Sequence, residues 1–171
     1  MRELILGGVR SGKSRFAEQR AQASGLQVVF IATAQARDEE MQRRVAAHRA
    51  RRPGSWLSVE AGQSLAEVLR HESAAQRCLL VDCLTLWLTQ LLCDAGEPEL
   101  RRESAALLEA LPHLPGRVIL VGNETNMGIV PMGELSRRYC DEAGRLHQQI
   151  AALCERVTLM VAGLPLIVKG E

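Results

Sequence analysis

The chain has 171 residues, a formal net charge of +1 and 47% hydrophobic residues, enough for one domain with a substantial core, and no Gly/Ser-rich linker or composition shift divides it. Two Trp, one Tyr and two Phe at near-neutral charge exclude a broad basic face and a set of base-stacking platforms, so nucleic acid is not an expected partner. The five cysteines are odd in number and contain no C-x-x-C, which argues against a disulfide framework or a zinc site and for reduced thiols in a cytoplasmic protein. The apolar run Leu4-Ile5-Leu6 reads as a first strand, too short for a signal-peptide core.

Directly after that strand, Gly7-Gly8-Val9-Arg10-Ser11-Gly12-Lys13-Ser14 matches G-x-x-x-x-G-K-[ST], the phosphate-binding loop. Glycines let successive backbone N–H groups turn inward on an anion, and a helix opening at Lys13 adds the positive end of its dipole. Lys13 would reach the β- and γ-phosphates and the Ser14 hydroxyl would hold Mg²⁺. Of 21 basic residues only Lys13 and Lys169 are Lys, so a composition that otherwise uses Arg has placed the slimmer ammonium inside the loop.

A helix is expected over Lys13–Ala23, then a strand at Val28–Ile31. The next helical pattern, Glu39–Ala50, has acids in its first turn and bases in its last, as a helix dipole prefers. It ends on His48, with Arg49, Arg51 and Arg52 following before Pro53. An imidazole beside fixed cations has two readings: a solvated surface histidine, or a nucleophile toward a triphosphate that the arginines hold.

Leu65–His71 reads as a helix. The strand Leu79–Val81 ends in Asp82, which either faces the loop's metal ion or caps the helix expected over Leu84–Leu92. A helix over Glu99–Leu111 and a strand over Val118–Val121 follow. The polar, glycine-containing stretch Gly122–Pro131 then reads as a loop long enough to close over a substrate. The longest helix spans Glu134–Cys154, with apolar positions Leu135, Tyr139, Ala143, Leu146, Ile150 and Leu153. Strands at Val157–Val161 and Leu166–Val168 end the chain, and Thr158, Gly163 and Pro165 interrupt this last apolar stretch, so it is not expected to span a membrane. The alternation predicts an α/β fold, a single P-loop domain with a mostly parallel sheet and helices on both faces. Its ligand would sit outside the carboxyl ends of the strands.

The start G-G-V-R-S-G-K-S, the exit Ile31-Ala32-Thr33, the D-E-E-M…H-R-x-R-R-P stretch around His48 and N-E-x-x-M-G-I-V-P at Asn123–Pro131 together resemble the adenosylcobinamide kinase/adenosylcobinamide-phosphate guanylyltransferase family of cobalamin biosynthesis. The resemblance covers nearly the whole chain. It implies phosphorylation of the adenosylcobinamide hydroxyl by ATP or GTP, then transfer of GMP from GTP to the new phosphate through a guanylyl-histidine, which by position is His48. It places Gly7, Gly8, Val9, Arg10, Ser11, Gly12, Lys13, Ser14, Ala32, Thr33, Ala34, Arg49, Ala50, Arg51, Arg52, Glu60 and Asp82 at the nucleotide, with Ser14 and Asp82 at Mg²⁺. It also implies a homo-oligomer, a trimer. Asp82 stands where the family is expected to carry Glu, and Thr125-Asn126 replaces a smaller, more apolar pair. Two other readings fit the loop alone: a small-metabolite kinase without a covalent intermediate, and a nucleotide-binding switch, against which the missing N-K-x-D motif counts.

Overall fold

The structure is a computed structural model and describes residues 1–33, 43 and 52–170. Its strands are β1 (Arg2–Gly7), β2 (Gln27–Ala32), β3 (Leu57–Glu60), β4 (Arg77–Asp82), β5 (Arg117–Asn123), β6 (Arg156–Val161) and β7 (Leu164–Lys169). The helices are α1 (Lys13–Gln22), α2 (Leu65–Glu72), α3 (Leu84–Gln90), α4 (Glu97–Ala110) and α5 (Glu134–Leu153). They build one seven-stranded sheet in the order β3-β2-β4-β5-β1-β6-β7. Every pairing is parallel except the last, where β7 runs antiparallel to β6 across the turn Ala162-Gly163.

Strand alternation divides the core between two faces. Leu4, Val29, Ile31, Leu79, Val81, Val118 and Leu120 point to one face, under Leu65 and Leu69 of α2, Trp87 of α3, Leu107 of α4 and Ile150 of α5. Ile5, Val28, Phe30, Cys78, Leu80, Ile119 and Val121 point to the other, against Ala17 and Ala21 of α1. Alanines one turn apart let α1 approach the sheet closely, which sets where its first turn meets the strand ends.

The expected α/β architecture is present, with local differences. The strand Leu57–Glu60 was not expected: its alternating, largely exposed residues give no apolar run, and it forms by pairing with β2 at the sheet edge. Gly122 and Asn123 continue β5 instead of opening the loop, because β1 offers a ladder partner as far as Gly7. The helix expected to Leu92 gives way to a π-helical turn, Leu91–Ala95. In α5, Ala143, Leu146 and Ile150 are buried, whereas Leu135 and Leu153 remain exposed. The helix expected over Glu39–Ala50 lies, apart from Arg43, outside the described residues. Among the described residues no helix is long and apolar enough to cross a membrane.

Candidate nucleotide site

The first phosphate-loop glycine ends β1 in a space without room for a side chain. A Cβ on Gly7 would lie 2.5 Å from Ser11 Oγ and 2.9 Å from the carbonyl oxygen of Met160. The chain then turns, with Ser11 N donating to the Gly8 carbonyl at 3.2 Å. Gly12 takes φ +91°, a left-handed conformation that favours glycine, as the residue before α1. Gly163 N donates to the Ser11 carbonyl at 3.0 Å, so the β6–β7 turn props the loop from behind. No side chain caps α1, and its first amides therefore open toward the loop. Lys13 Nζ folds back over the loop to donate to the Gly8 carbonyl at 3.2 Å.

Four strand ends frame this loop. Gly7 is in register with Asn123, and Asp82 with both Ala32 and Val121. By alternation with their buried neighbours Ile5, Phe30, Leu80 and Val121, the residues Gly7, Ala32, Asp82 and Asn123 all belong to the α1 face. Charges on Asp82 and Lys13 both reach the Cys83 thiol, which burial pushes up to about 11. Lys13 opens α1 after the loop that follows β1, and Asp82 ends β4, which runs parallel to β1 through β5, so the carboxylate and the ammonium share one end of the sheet. Ser14 and Asp82 are hard oxygen donors of the kind Mg²⁺ takes. Among the described residues no three His, Cys, Asp or Glu side chains gather as a metal cluster.

The remaining predicted residues are placed differently. Thr33 is buried, and its hydroxyl both donates to the Cys83 carbonyl (2.7 Å) and accepts from Cys83 N (2.8 Å). Gln90 Nε2 donates to the Thr33 carbonyl at 2.6 Å. This network ties the exit of β2 to the exit of β4. Glu60 is exposed at the end of β3, in register with Ala32. Arg52 lies over the Phe30 ring, 3.2 Å from its centroid, with Nε 3.8 Å from Glu18 on α1. Ala34, His48, Arg49, Ala50 and Arg51 lie outside the described residues.

Sequence reading passed over Thr85 and the place of Asn123 within the sheet. Asn123 N donates to Thr85 Oγ1 at 2.7 Å, and Glu124 N donates to the Gly7 carbonyl at 3.1 Å. The signal available was position, since Asn123 stands two residues past the apolar run Val118–Val121 and strand exits are where ligands bind in such sheets. Beyond Asn123 the segment leading to α5 exposes Met127, Ile129, Val130 and Met132.

The sheet order, the loop at the end of β1 and the carboxylate at the end of β4 define a P-loop nucleotide-binding α/β protein. Solved structures agree on the fold. The RadB recombinase superposes with a TM-score of 0.53 at 16% identity, covering 92% of this chain and 73% of that one. An ATPase from a bacterial type III secretion system superposes with a TM-score of 0.55 at 15% identity, over 92% of this chain and 51% of that one. The particular family follows from sequence. Residues 3–168 match the model for cobinamide kinase / cobinamide phosphate guanyltransferase. The chain is 64% identical over 171 residues to the bifunctional adenosylcobalamin biosynthesis protein CobP of Pseudomonas aeruginosa, spanning 100% of this chain and 99% of that protein. It is 39% identical to the bifunctional adenosylcobalamin biosynthesis protein CobU of Escherichia coli, over 97% of this chain and 98% of that protein. The chain belongs to the cobinamide kinase / cobinamide phosphate guanyltransferase family and is an enzyme of that type.

Proposed function

We propose that this enzyme uses one P-loop site for two transfers: ATP or GTP phosphorylates the hydroxyl of adenosylcobinamide, and GMP then passes from GTP to the new phosphate through a guanylyl-histidine at His48. The observation that carries the reading is that Lys13 opens α1, the helix packed on the sheet face to which Asp82 belongs at the end of β4.

In the first transfer the acceptor oxygen attacks the γ-phosphorus and the bond to the β-phosphate oxygen breaks. Loop amides and Lys13 hold the charge that builds on the leaving diphosphate. Ser14 and Asp82 would hold Mg²⁺, which supplies further neutralisation of the phosphates. In the second transfer a neutral imidazole nitrogen of His48 attacks the α-phosphorus and pyrophosphate leaves toward the same loop. The phosphate oxygen of the corrinoid then attacks that phosphorus, the P–N bond breaks, and the histidine is restored as adenosylcobinamide-GDP forms. Arg49, Arg51 and Arg52 supply positive charge next to His48 in the sequence, and Glu60 accepts from the N1–H and exocyclic amine of guanine, donors that adenine does not offer. The working form in this reading is a cytoplasmic homotrimer.

Incubation with GTP labelled at the α-phosphate should leave one label on the denatured chain, stable to base and labile to acid. His48→Asn should lose the label yet still phosphorylate adenosylcobinamide. Label that persists in His48→Asn removes His48 as the nucleophile, and active enzyme that never carries label replaces the intermediate with direct transfer.

A further inference from the structure

The strand that carries Asp82 and its neighbour β2 end in step. Ala32 closes β2 and Asp82 closes β4, the two in register, so Thr33 and Cys83 leave the sheet together. Beyond that register the ladder stops, and the buried Cys83 needs another partner for its backbone. The Thr33 hydroxyl supplies it on both sides, donating to the Cys83 carbonyl at 2.7 Å and accepting from Cys83 N at 2.8 Å. Thr33 is only 1% exposed, and a hydroxyl has one proton to give, so its side chain keeps no donor for a nucleotide. Its carbonyl is engaged as well, by Gln90 Nε2 at 2.6 Å. Gln90 is the last residue of α3 and is itself buried.

This grip bears on the residue just before it. The plane of the peptide joining Asp82 to Cys83 sets the last backbone torsion of Asp82, and Asp82 has no further strand residue to hold it. A threonine suits the task, because its branched Cβ restricts χ1 and keeps the hydroxyl aimed. We propose that Thr33 and Gln90 are positioning residues that hold the Asp82 carboxylate toward the Mg²⁺ of the bound nucleotide, and that the Thr33 side chain itself makes no contact with the nucleotide. Gln90 fixes Thr33, Thr33 fixes the peptide after Asp82, and that peptide fixes the carboxylate. The inference rests on the reading of Asp82 as a metal-side group and deepens it. Carboxylates that hold metals depend on such outer contacts, and losing one costs roughly 10- to 100-fold in metal affinity.

The test measures the affinity of β,γ-imido-GTP by calorimetry in Mg²⁺ and in EDTA, and takes the ratio as the gain that the metal gives. The variants are Thr33→Val, which keeps the shape and loses both hydrogen bonds, Thr33→Ser, which keeps the hydroxyl, Gln90→Met and Asp82→Asn. Thr33→Val and Gln90→Met should lower the gain roughly tenfold while affinity in EDTA holds, and Thr33→Ser should restore it. In the Asp82→Asn background, where the gain is already lost, adding Thr33→Val should change it by less than about twofold, because its effect runs through that carboxylate. Affinity in EDTA that falls together with the gain would put Thr33 on the nucleotide itself. An unchanged gain with a lowered thermal midpoint would make the network a structural clamp. Either result overturns the proposal. Should Thr33→Val not fold, Gln90→Met decides, since it leaves the Thr33 hydroxyl in place. If Asp82→Asn keeps the full gain, the metal reading of Asp82 fails and the proposal falls with it; if Asp82→Asn loses the gain while Thr33→Val and Gln90→Met keep it, the positioning role alone fails.

Discussion

The two faces of the sheet are built differently. One carries α2, α3, α4 and α5 over a broad layer of Leu, Ile, Val and the fully buried Trp87, whose Nε1 donates to the Gln63 carbonyl at 2.7 Å. The other meets α1 through two alanines, and it holds Glu3 and Thr158 in its interior and Gly7, Asp82 and Asn123 at its strand ends. The difference shows a division of labour. Burial on the first face supplies most of the stability, which leaves the second free to place charged and unpartnered polar groups around a phosphate loop.

The largest expected effect falls on the broad face. Trp87→Ala removes a fully buried ring and should cost about 4 kcal/mol in denaturant unfolding, while the fraction that remains folded keeps its kinase rate. A rate that falls out of proportion to the folded fraction would break the division.

Glu3 probes the opposite case, a stabilising group on the polar face. Its carboxylate is fully buried, 3.1 Å from Arg20 Nε and 2.7 Å from Arg117 Nη2. Glu3→Ala leaves two guanidinium groups facing each other without their carboxylate and should cost about 3 kcal/mol, read from the urea midpoint. An unchanged midpoint would show that solvent screens both arginines, and that the polar face contributes little to stability.

Lys13→Ala should do the reverse. The kinase rate should fall roughly 100-fold, which is about 2.7 kcal/mol at the transition state, with no change in thermal midpoint. Wild-type rates would remove Lys13 from the site.

The smallest effect sharpens the comparison from within the broad face. His147 on α5 packs against Gly122, where a Cβ would stand 2.9 Å from Nε2. Burial lowers its pKa below the ordinary 6.5, opposed by the charge of Glu124. Below pH 6.5 the unfolded chain therefore binds a proton that the folded chain resists. The stability from a neutral His147 is complete above that pH and declines as pH falls toward the folded value. His147→Gln should flatten the fall in urea midpoint between pH 7.5 and 5.5, and an equal fall in both proteins would place the titration elsewhere.

How much of this was legible beforehand depends on range along the chain. The phosphate loop, α1 and the apolar strands were readable because each is fixed by neighbouring residues: glycines at set spacing, apolar runs of strand length and helical periodicity. The combined motifs pointed to the family that residues 3–168 match. Leu57–Glu60 was not readable, since its strand exists only through β2. Nor was the use of the Thr33 hydroxyl, which is taken up by Cys83 fifty positions away. Asn123 read as the start of a loop until Gly7 and Thr85 held its backbone in the sheet end. Local chemistry is set by contiguous residues, as in a P-loop or an amphipathic helix. Which strand exits share a face follows from folding in three dimensions, since parallel register and the close seat of α1 on Ala17 and Ala21 are contacts between segments far apart in the chain.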